Sequence, residues 1–276
     1  ISPKTKAVLL VHMCGAAADL DGIMAVCKEH NIQLIEDSAQ ALGGSYKGKM
    51  LGTFGRMGSF SYDFFKINTC GEGGVVITDD HQLWDTAQQF ADHGHDHIGN
   101  NRGMEQHPIM GGEINAAIGL AQTRKLPYIL AEQRKHKAII QERLSKIPGL
   151  QFRRHTDEAG DSATFFHLLL PSEAVARATV KLFTEAGIPH GYWYDNMFHY
   201  IKQWDHVKNL SMPYKLVAHE LGLPQDLKTL TFPKSDAVMS RLISFNIRVT
   251  WTAEELDAML TKMEAAIVKA MESAYA

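Results

Sequence analysis

The chain has 276 residues, 45% hydrophobic and 21% charged, enough apolar side chain to bury a sizeable core across more than one domain. A formal net charge of −3 gives no electrostatic ground for a nucleic-acid or membrane-surface partner. No apolar run reaches the length of a bilayer span, no signal peptide is legible at Ile1, and three cysteines without metal-type spacing (Cys14, Cys27, Cys70) fit reduced thiols in a cytoplasm.

In chain order, residues 6–13 (KAVLLVHM) predict a continuous apolar strand, as expected in a parallel sheet covered on both faces. Residues 19–31 predict a helix with apolar positions at Leu20, Ile23, Met24 and Cys27. Residues 32–37 (IQLIED) predict a second strand, completing a strand-helix-strand unit whose crossover is right-handed. A strand-like run at 58–65, a glycine-rich turn and the apolar strand VVITDD follow. Residues 113–146 predict a long helix kinked or broken at Pro127 and ended by Pro148-Gly149. Beyond it the pattern changes: 150–155 and 163–171 read as strands and 173–186 as a helix. Thr252-Ala-Glu-Glu255 reads as a capping box opening a C-terminal amphipathic helix. The expected domain boundary lies in the long helix near Leu126, dividing the chain into 1–125 and 126–276.

Chemistry concentrates at two places. Lys66 stands between the run GSFSYDFF and a glycine-rich turn, a tight connection that aims an amine at a pocket. Lysines form Schiff bases with carbonyl cofactors when burial lowers their pKa, although a solvated loop lysine is the commoner case. Asp37 ends the strand IQLIED, and ligands of open α/β sheets bind at the carboxyl ends of strands. An aspartate there can pair with the pyridinium nitrogen of pyridoxal phosphate, or simply cap the next helix. Gln40 would donate an amide hydrogen bond to the ring's phenolate oxygen.

The motif Asp-x-x-Gln at 37–40, followed by Ser-x-x-x-x-Lys-x-x-Thr-x-Gly-Glu-Gly-Gly at 61–74, is specific in combination. With TKAVLLVHMCG at 5–15, IEDSAQALGG at 35–44, YKGKMLGTFG at 46–55, ADHG at 91–94 and EINAAIGLAQ at 113–122, it resembles the DegT/DnrJ/EryC1/StrS family of pyridoxal-phosphate-dependent sugar aminotransferases. That resemblance implies an α/β fold of the aspartate aminotransferase type I-like class. It implies a partial large domain with a mainly parallel sheet (1–125) and a smaller α+β C-terminal domain (126–276). By it, Lys66 is the Schiff-base lysine for pyridoxal 5'-phosphate, Asp37 the pyridinium partner, Gln40 the ring-oxygen contact and Ser61 a ligand of the cofactor phosphate. Lys66 and Asp37 are thereby the catalytic pair. A branch of the family has histidine in place of the lysine and dehydrates sugars, so lysine here favours transamination. Glutamate as amino donor, a keto-sugar acceptor, and a cytoplasmic homodimer with shared active sites are further implications.

Two runs, 93–102 (HGHDHIGNNR) and 192–204 (YWYDNMFHYIKQW), resemble the branch that aminates 3-deoxy-octulosonate at its terminal carbon, which would tie the protein to lipopolysaccharide. Measured against the family pattern, the portion ahead of Ile1 that supplies a phosphate-binding helix N-terminus is missing. So is an Asn-Tyr-Arg-Met-like segment before Glu113, and Arg56 stands where the family has aspartate. The competing reading is a non-catalytic, truncated relative acting as an interaction or scaffold module.

Other candidates stay open at this stage. His93, His95 and His97 alternate along the chain and suit either a zinc site or substrate contact. Trp193, Tyr194, Tyr200 and Trp204 suit a sugar-stacking wall or ordinary aromatic packing. Lys234 and Arg241 would receive a substrate carboxylate or sit solvated at the surface. Cys70 suits a redox role or simple packing. His12 would approach the phosphate or satisfy a backbone carbonyl.

Overall fold

In Gln33–Asp37 the side chains at 34 and 36 are buried, that at 33 is exposed, and those at 35 and 37 are half-buried. This is the period-two alternation of an extended chain. The computed structural model, which describes residues 1–91, 113–209 and 229–275, makes this segment strand β2 of a sheet ordered β1-β2-β5-β6. The strands are β1 (Ala7–Val11), β2 (Gln33–Asp37), β5 (Met57–Ser61) and β6 (Gly74–Ile77), with a short hairpin of β3 (Ser45–Tyr46) and β4 (Lys49–Met50) between β2 and β5. β1, β2 and β5 run parallel, and β6 runs antiparallel to β5.

Helix α1 (Leu20–Glu29) makes the crossover from β1 to β2. The Asp19 carboxylate caps it by accepting from the backbone N–H of Gly22, which satisfies one of the orphan donors of the first turn. The core under this helix joins Leu20, Cys27, Leu34, Ala41, Tyr46 and Leu51, with Val8, Leu10, Ile23 and Phe54 packed against it. Each fully buried leucine contributes about 1.5–3 kcal/mol relative to exposure.

Strand β1 departs from expectation. Coverage on both faces was predicted, yet Leu9 is 65% and Val11 41% exposed. Alternation sends Val8 and Leu10 to the α1 side and Leu9 and Val11 to the opposite face, which the described residues leave open. Met24 likewise turns outward on α1, while Leu20 and Cys27 are buried.

Helix α2 (His81–Ala91) follows β6. The predicted long helix is two: α3 (Glu113–Thr123) and α4 (Leu126–Leu144). Pro127 lies in the first turn of α4, where its missing N–H removes no intrahelical bond.

Two units divide the chain. The first comprises 1–137, 154–165 and 247–249, the second 138–153, 166–246 and 250–276. The second holds a sheet ordered β7-β8-β10-β9, from β7 (Gln151–Phe152), β8 (Phe165–Leu169), β9 (Gly191–Tyr192) and β10 (Leu242–Asn246). Its helices are α5 (Glu173–Glu185), α6 (Asp205–Lys208), α7 (Pro233–Met239) and α8 (Ala253–Tyr275). The capping box at the start of α8 forms reciprocally: Glu255 N donates to Thr252 Oγ1 (3.2 Å) and Thr252 N donates to Glu255 Oε2 (3.0 Å). Arg143 reaches Glu264 and Asp257, tying the end of α4 to α8 within this unit.

Candidate active site

Parallel pairing places the carboxyl ends of β1, β2 and β5 at one edge of the first sheet, and the candidate residues follow from that register. Val11 pairs with Asp37, and Asp37 with Ser59, so Ser61 lies two residues further along β5 toward the same edge. Asp37 is half-buried, and its Oδ1 accepts from Ala39 N (3.0 Å). Its Oδ2 has no hydrogen-bond partner among the described residues. Ser61 Oγ accepts from Asp63 N (3.3 Å), which leaves the hydroxyl hydrogen able to donate. Gln40 Oε1 accepts from Cys14 N (3.0 Å), so the amide NH2 is the donor end of the side chain.

Lys66 sits on the loop between β5 and β6. Backbone bonds from Tyr62 N to Gly73 O and from Cys70 N to Tyr62 O close the base of that loop. An Asx turn at Asp63 shapes its start, with Phe65 N donating to Oδ1 and Lys66 N to the carbonyl oxygen. Thr123 Oγ1 of α3 accepts from both Tyr62 OH and Asn68 Nδ2 (3.0 Å each) while donating to Gly119 O. Asn115 Nδ2 adds a bond to Glu72 O. The loop is thus tied to α3 through side chains on both sides of Lys66 and through the Glu72 carbonyl. Lys66 is half-buried, and its Nζ has no partner among the described residues.

The neighbour of Asp37 was not anticipated. Glu36 is fully buried, and its carboxylate collects four donors. Oε1 accepts from His12 Nε2 (3.0 Å) and Gly52 N (2.7 Å), and Oε2 from Phe54 N and Gly55 N (2.6 Å each). Burial pushes the Glu36 pKa up. The His12 hydrogen bond and the three backbone N–H groups outweigh it, and the carboxyl is held below its ordinary value. His12, also fully buried, accepts from Ala18 N at Nδ1 (3.3 Å), which assigns the ring hydrogen to Nε2. His12 thus serves neither a phosphate nor a backbone carbonyl. The legible signal was position: period two puts residue 36 on the buried face with Leu34, and a buried carboxylate needs donors.

The loop that supplies those donors is fitted by glycine. Gly52 has φ +86°, in the left-handed region, and any side chain at Gly58 of β5 would run into the Gly52 carbonyl oxygen. Arg56, where the resemblance leads one to expect aspartate, pairs with Asp80 (2.6 Å).

Four of the remaining candidates, Trp193, Tyr200, Arg241 and Cys70, are engaged in contacts with their own surroundings. Trp193 and Tyr200 are buried in the second unit, with Trp193 Nε1 donating to Ser244 Oγ (2.8 Å) and Tyr200 OH donating to Asp236. Arg241 donates to the carbonyl oxygens of Ala237 and Leu170, a structural role. Cys70 is buried and its thiol contacts Glu72 O at 3.3 Å. All three cysteines are free. The His93, His95 and His97 run and residues 110–112 lie outside the described residues. No group of metal-ligating side chains occurs among those described, and no described helix is long and apolar enough to cross a membrane.

Residues 1–213 match the profile of the DegT/DnrJ/EryC1/StrS aminotransferase family. The chain belongs to that family. Among DegT/DnrJ/EryC1/StrS relatives it is 30% identical over 207 residues to dTDP-4-dehydro-2,3,6-trideoxy-D-glucose 4-aminotransferase of Saccharopolyspora spinosa, covering 70% of this chain and 54% of that protein. It is 33% identical over 209 residues to GDP-4-keto-6-deoxy-D-mannose 3-dehydratase of Yersinia pseudotuberculosis, covering 68% of this chain and 52% of that protein. The chain thus spans about half the length of these relatives. The fold matches that of the Helicobacter pylori aminotransferase PseC, involved in the biosynthesis of pseudoaminic acid, with TM-score 0.77 and 19% identity over 98% of this chain and 68% of that one. The fold expectation, an α/β chain of the aminotransferase type, holds.

Proposed function

We propose that this chain carries the cofactor-binding residues of a pyridoxal-phosphate-dependent sugar aminotransferase, with glutamate as amino donor and a keto-sugar as acceptor. The observation that carries the reading is the uncommitted, half-buried amine of Lys66 on a pinned loop, set beyond the same sheet edge as the open Oδ2 of Asp37. The donor set suits a phosphorylated pyridine aldehyde: an amine for the carbonyl, a carboxylate oxygen for the ring nitrogen, an amide N–H from Gln40 for the phenolate oxygen, and the Ser61 hydroxyl for the phosphate. Pyridoxal phosphate supplies the electron sink that makes the α-carbon of an amino acid acidic. Lys66 Nζ would then serve as general acid–base, taking the proton from the donor's α-carbon and passing it on within the same half-reaction, and delivering a proton to the acceptor's former carbonyl carbon in the second. Asp37 Oδ2 holds a proton at the ring nitrogen by keeping a negative charge beside it.

Between the aminotransferase and dehydratase relatives, Lys66 favours transamination, because the family resemblance puts histidine at this position in the dehydrating branch. The acceptor we infer is the 8-keto form of 3-deoxy-octulosonate, serving lipopolysaccharide assembly; its support is the resemblance of 93–102 and 192–204 to that branch. We further propose a cytoplasmic homodimer sharing its active sites, with 1–125 as the cofactor-binding portion and 126–276 as the small domain. The presence of Lys66 and Asp37, with Nζ and Oδ2 unpartnered among the described residues, disfavours the non-catalytic reading.

The test is covalent capture. Incubation with pyridoxal phosphate, borohydride reduction and peptide mapping should place a pyridoxyl mass on the peptide containing Lys66. A label distributed over surface lysines, with Lys66 unmodified, would overturn the proposal.

A further inference from the structure

We infer that the buried His12–Glu36 pair is a positioning clamp that fixes Asp37 and Gln40, and its functional meaning rests on the roles proposed above for those two residues. The pair is invisible to solvent and touches no open surface, so it is not itself a contact for cofactor or substrate. Its connections run outward to both residues in question.

The first connection goes to Asp37. Glu36 is bonded to it covalently, and His12 N donates to the Asp37 carbonyl oxygen (3.0 Å), so both sides of the pair hold the backbone from which the Asp37 side chain projects. Ser59 Oγ donates to Glu36 O (3.4 Å) and Ser38 N to Ser59 O (2.9 Å), extending the hold into β5. The second connection goes to Gln40. His12 leads directly into a 3₁₀ turn at Met13–Gly15, and His12 Nδ1 anchors the far side of that turn through Ala18 N. Inside it Cys14 sits at φ 56°, a left-handed conformation that a non-glycine residue keeps only when its surroundings enforce it. That conformation points Cys14 N at Gln40 Oε1. Fixing the Gln40 oxygen fixes which way its amide NH2 faces.

Chemistry explains why a carboxylate and an imidazole do this better than apolar packing. Four donors converge on one buried anion, and hydrogen bonds to an ionised acceptor are shorter and stronger than neutral ones. A side chain at 36 with only one acceptor oxygen leaves two donors facing a donor, and the loop at 52–55 and the end of β1 must then move apart. Half an ångström of drift at a strand tip is enough to spoil an arrangement that must hold a ring nitrogen and a ring oxygen together.

Amide hydrogen exchange on the purified chain without cofactor tests the clamp directly. In Glu36→Gln, and in the milder His12→Gln, exchange at Cys14 N and Ala39 N should accelerate about tenfold relative to Ile35 N of the β1–β2–β5 ladder. Wild-type rates at Cys14 and Ala39 in a folded variant would overturn the inference, as would equal acceleration of all three amides. A second readout uses pyridoxal phosphate: the pH midpoint of the bound cofactor's visible band should move in both variants in the direction that Asp37→Asn moves it. An unmoved midpoint, with Asp37→Asn displaced, would also overturn it. Should the wild-type chain give no Lys66 adduct, the functional proposal fails on that result, while the exchange measurement still decides the clamp.

Discussion

At the scale of single residues, Asp37 and Lys66 stood out in the sequence by their places at a strand end and before a glycine-rich turn, and the structure leaves Asp37 Oδ2 and Lys66 Nζ without partners among the described residues. Lys66 interrupts an aromatic run before a Gly-Glu-Gly-Gly turn, and Asp37 ends an apolar strand. Glu36 was hidden by its neighbour, since two adjacent acids at a strand tip read as one feature until alternation assigns them to opposite faces. Gln40 was expected as a donor to the cofactor; the contact that holds its oxygen, from the left-handed Cys14, comes from 26 residues away in sequence and leaves no local trace. Asp37→Asn should retain covalent capture at Lys66 and slow transamination by about 100-fold or more, because an amide cannot keep the ring nitrogen protonated. Stopped-flow kinetics of a single half-reaction would measure that, and an unimpaired rate would remove Asp37 from the scheme.

Elements were legible where periodicity and caps agreed. The capping box read at Thr252–Glu255 forms, and Asp19 and Ser172, which the sequence reading did not single out as caps, likewise accept from the third residue on. Thr252→Ala should cost about 1 kcal/mol by removing half of the α8 capping box, read as a shift in the urea midpoint at constant slope. Phe183 of α5, with no exposed surface, is a different case. Phe183→Ala should cost about 3–5 kcal/mol through lost burial and the cavity left behind, and the same titration would show it. Where periodicity alone was the guide, it fell short. An apolar run such as AVLLV cannot say whether one face or two are covered, and the openness of Leu9 and Val11 had to be seen. At 113–146 the expectation of a kink or a break at Pro127 resolves as a break just ahead of it, between Thr123 and Leu126, with the proline in the first turn of α4.

At the scale of the whole molecule, the carboxyl groups of the described residues that depart from their ordinary pKa are all held below it. Asp21, Asp80, Asp205, Asp236 and Glu254 are lowered chiefly by hydrogen-bond donors, at exposed or half-exposed positions where such pairs carry little stability. Glu36 is the buried one. A group whose folded pKa is depressed binds its proton more readily when unfolded, so its stabilisation is full above its ordinary value of 4.5 and is lost as pH falls through the lowered folded value. Thermal melting should therefore fall steeply with acidification below about pH 4.5. Glu36→Gln should start from a lower plateau and show a shallower acid limb, and parallel acid limbs would contradict that assignment.

The central claim is that Lys66 is set up for amino-group transfer. The visible absorbance of the chain with pyridoxal phosphate, before and after glutamate, tests it most directly. The account predicts a visible band that bleaches on adding glutamate and is missing in Lys66→Ala. A wild-type chain with no band, or one whose band is unchanged in Lys66→Ala, would contradict it.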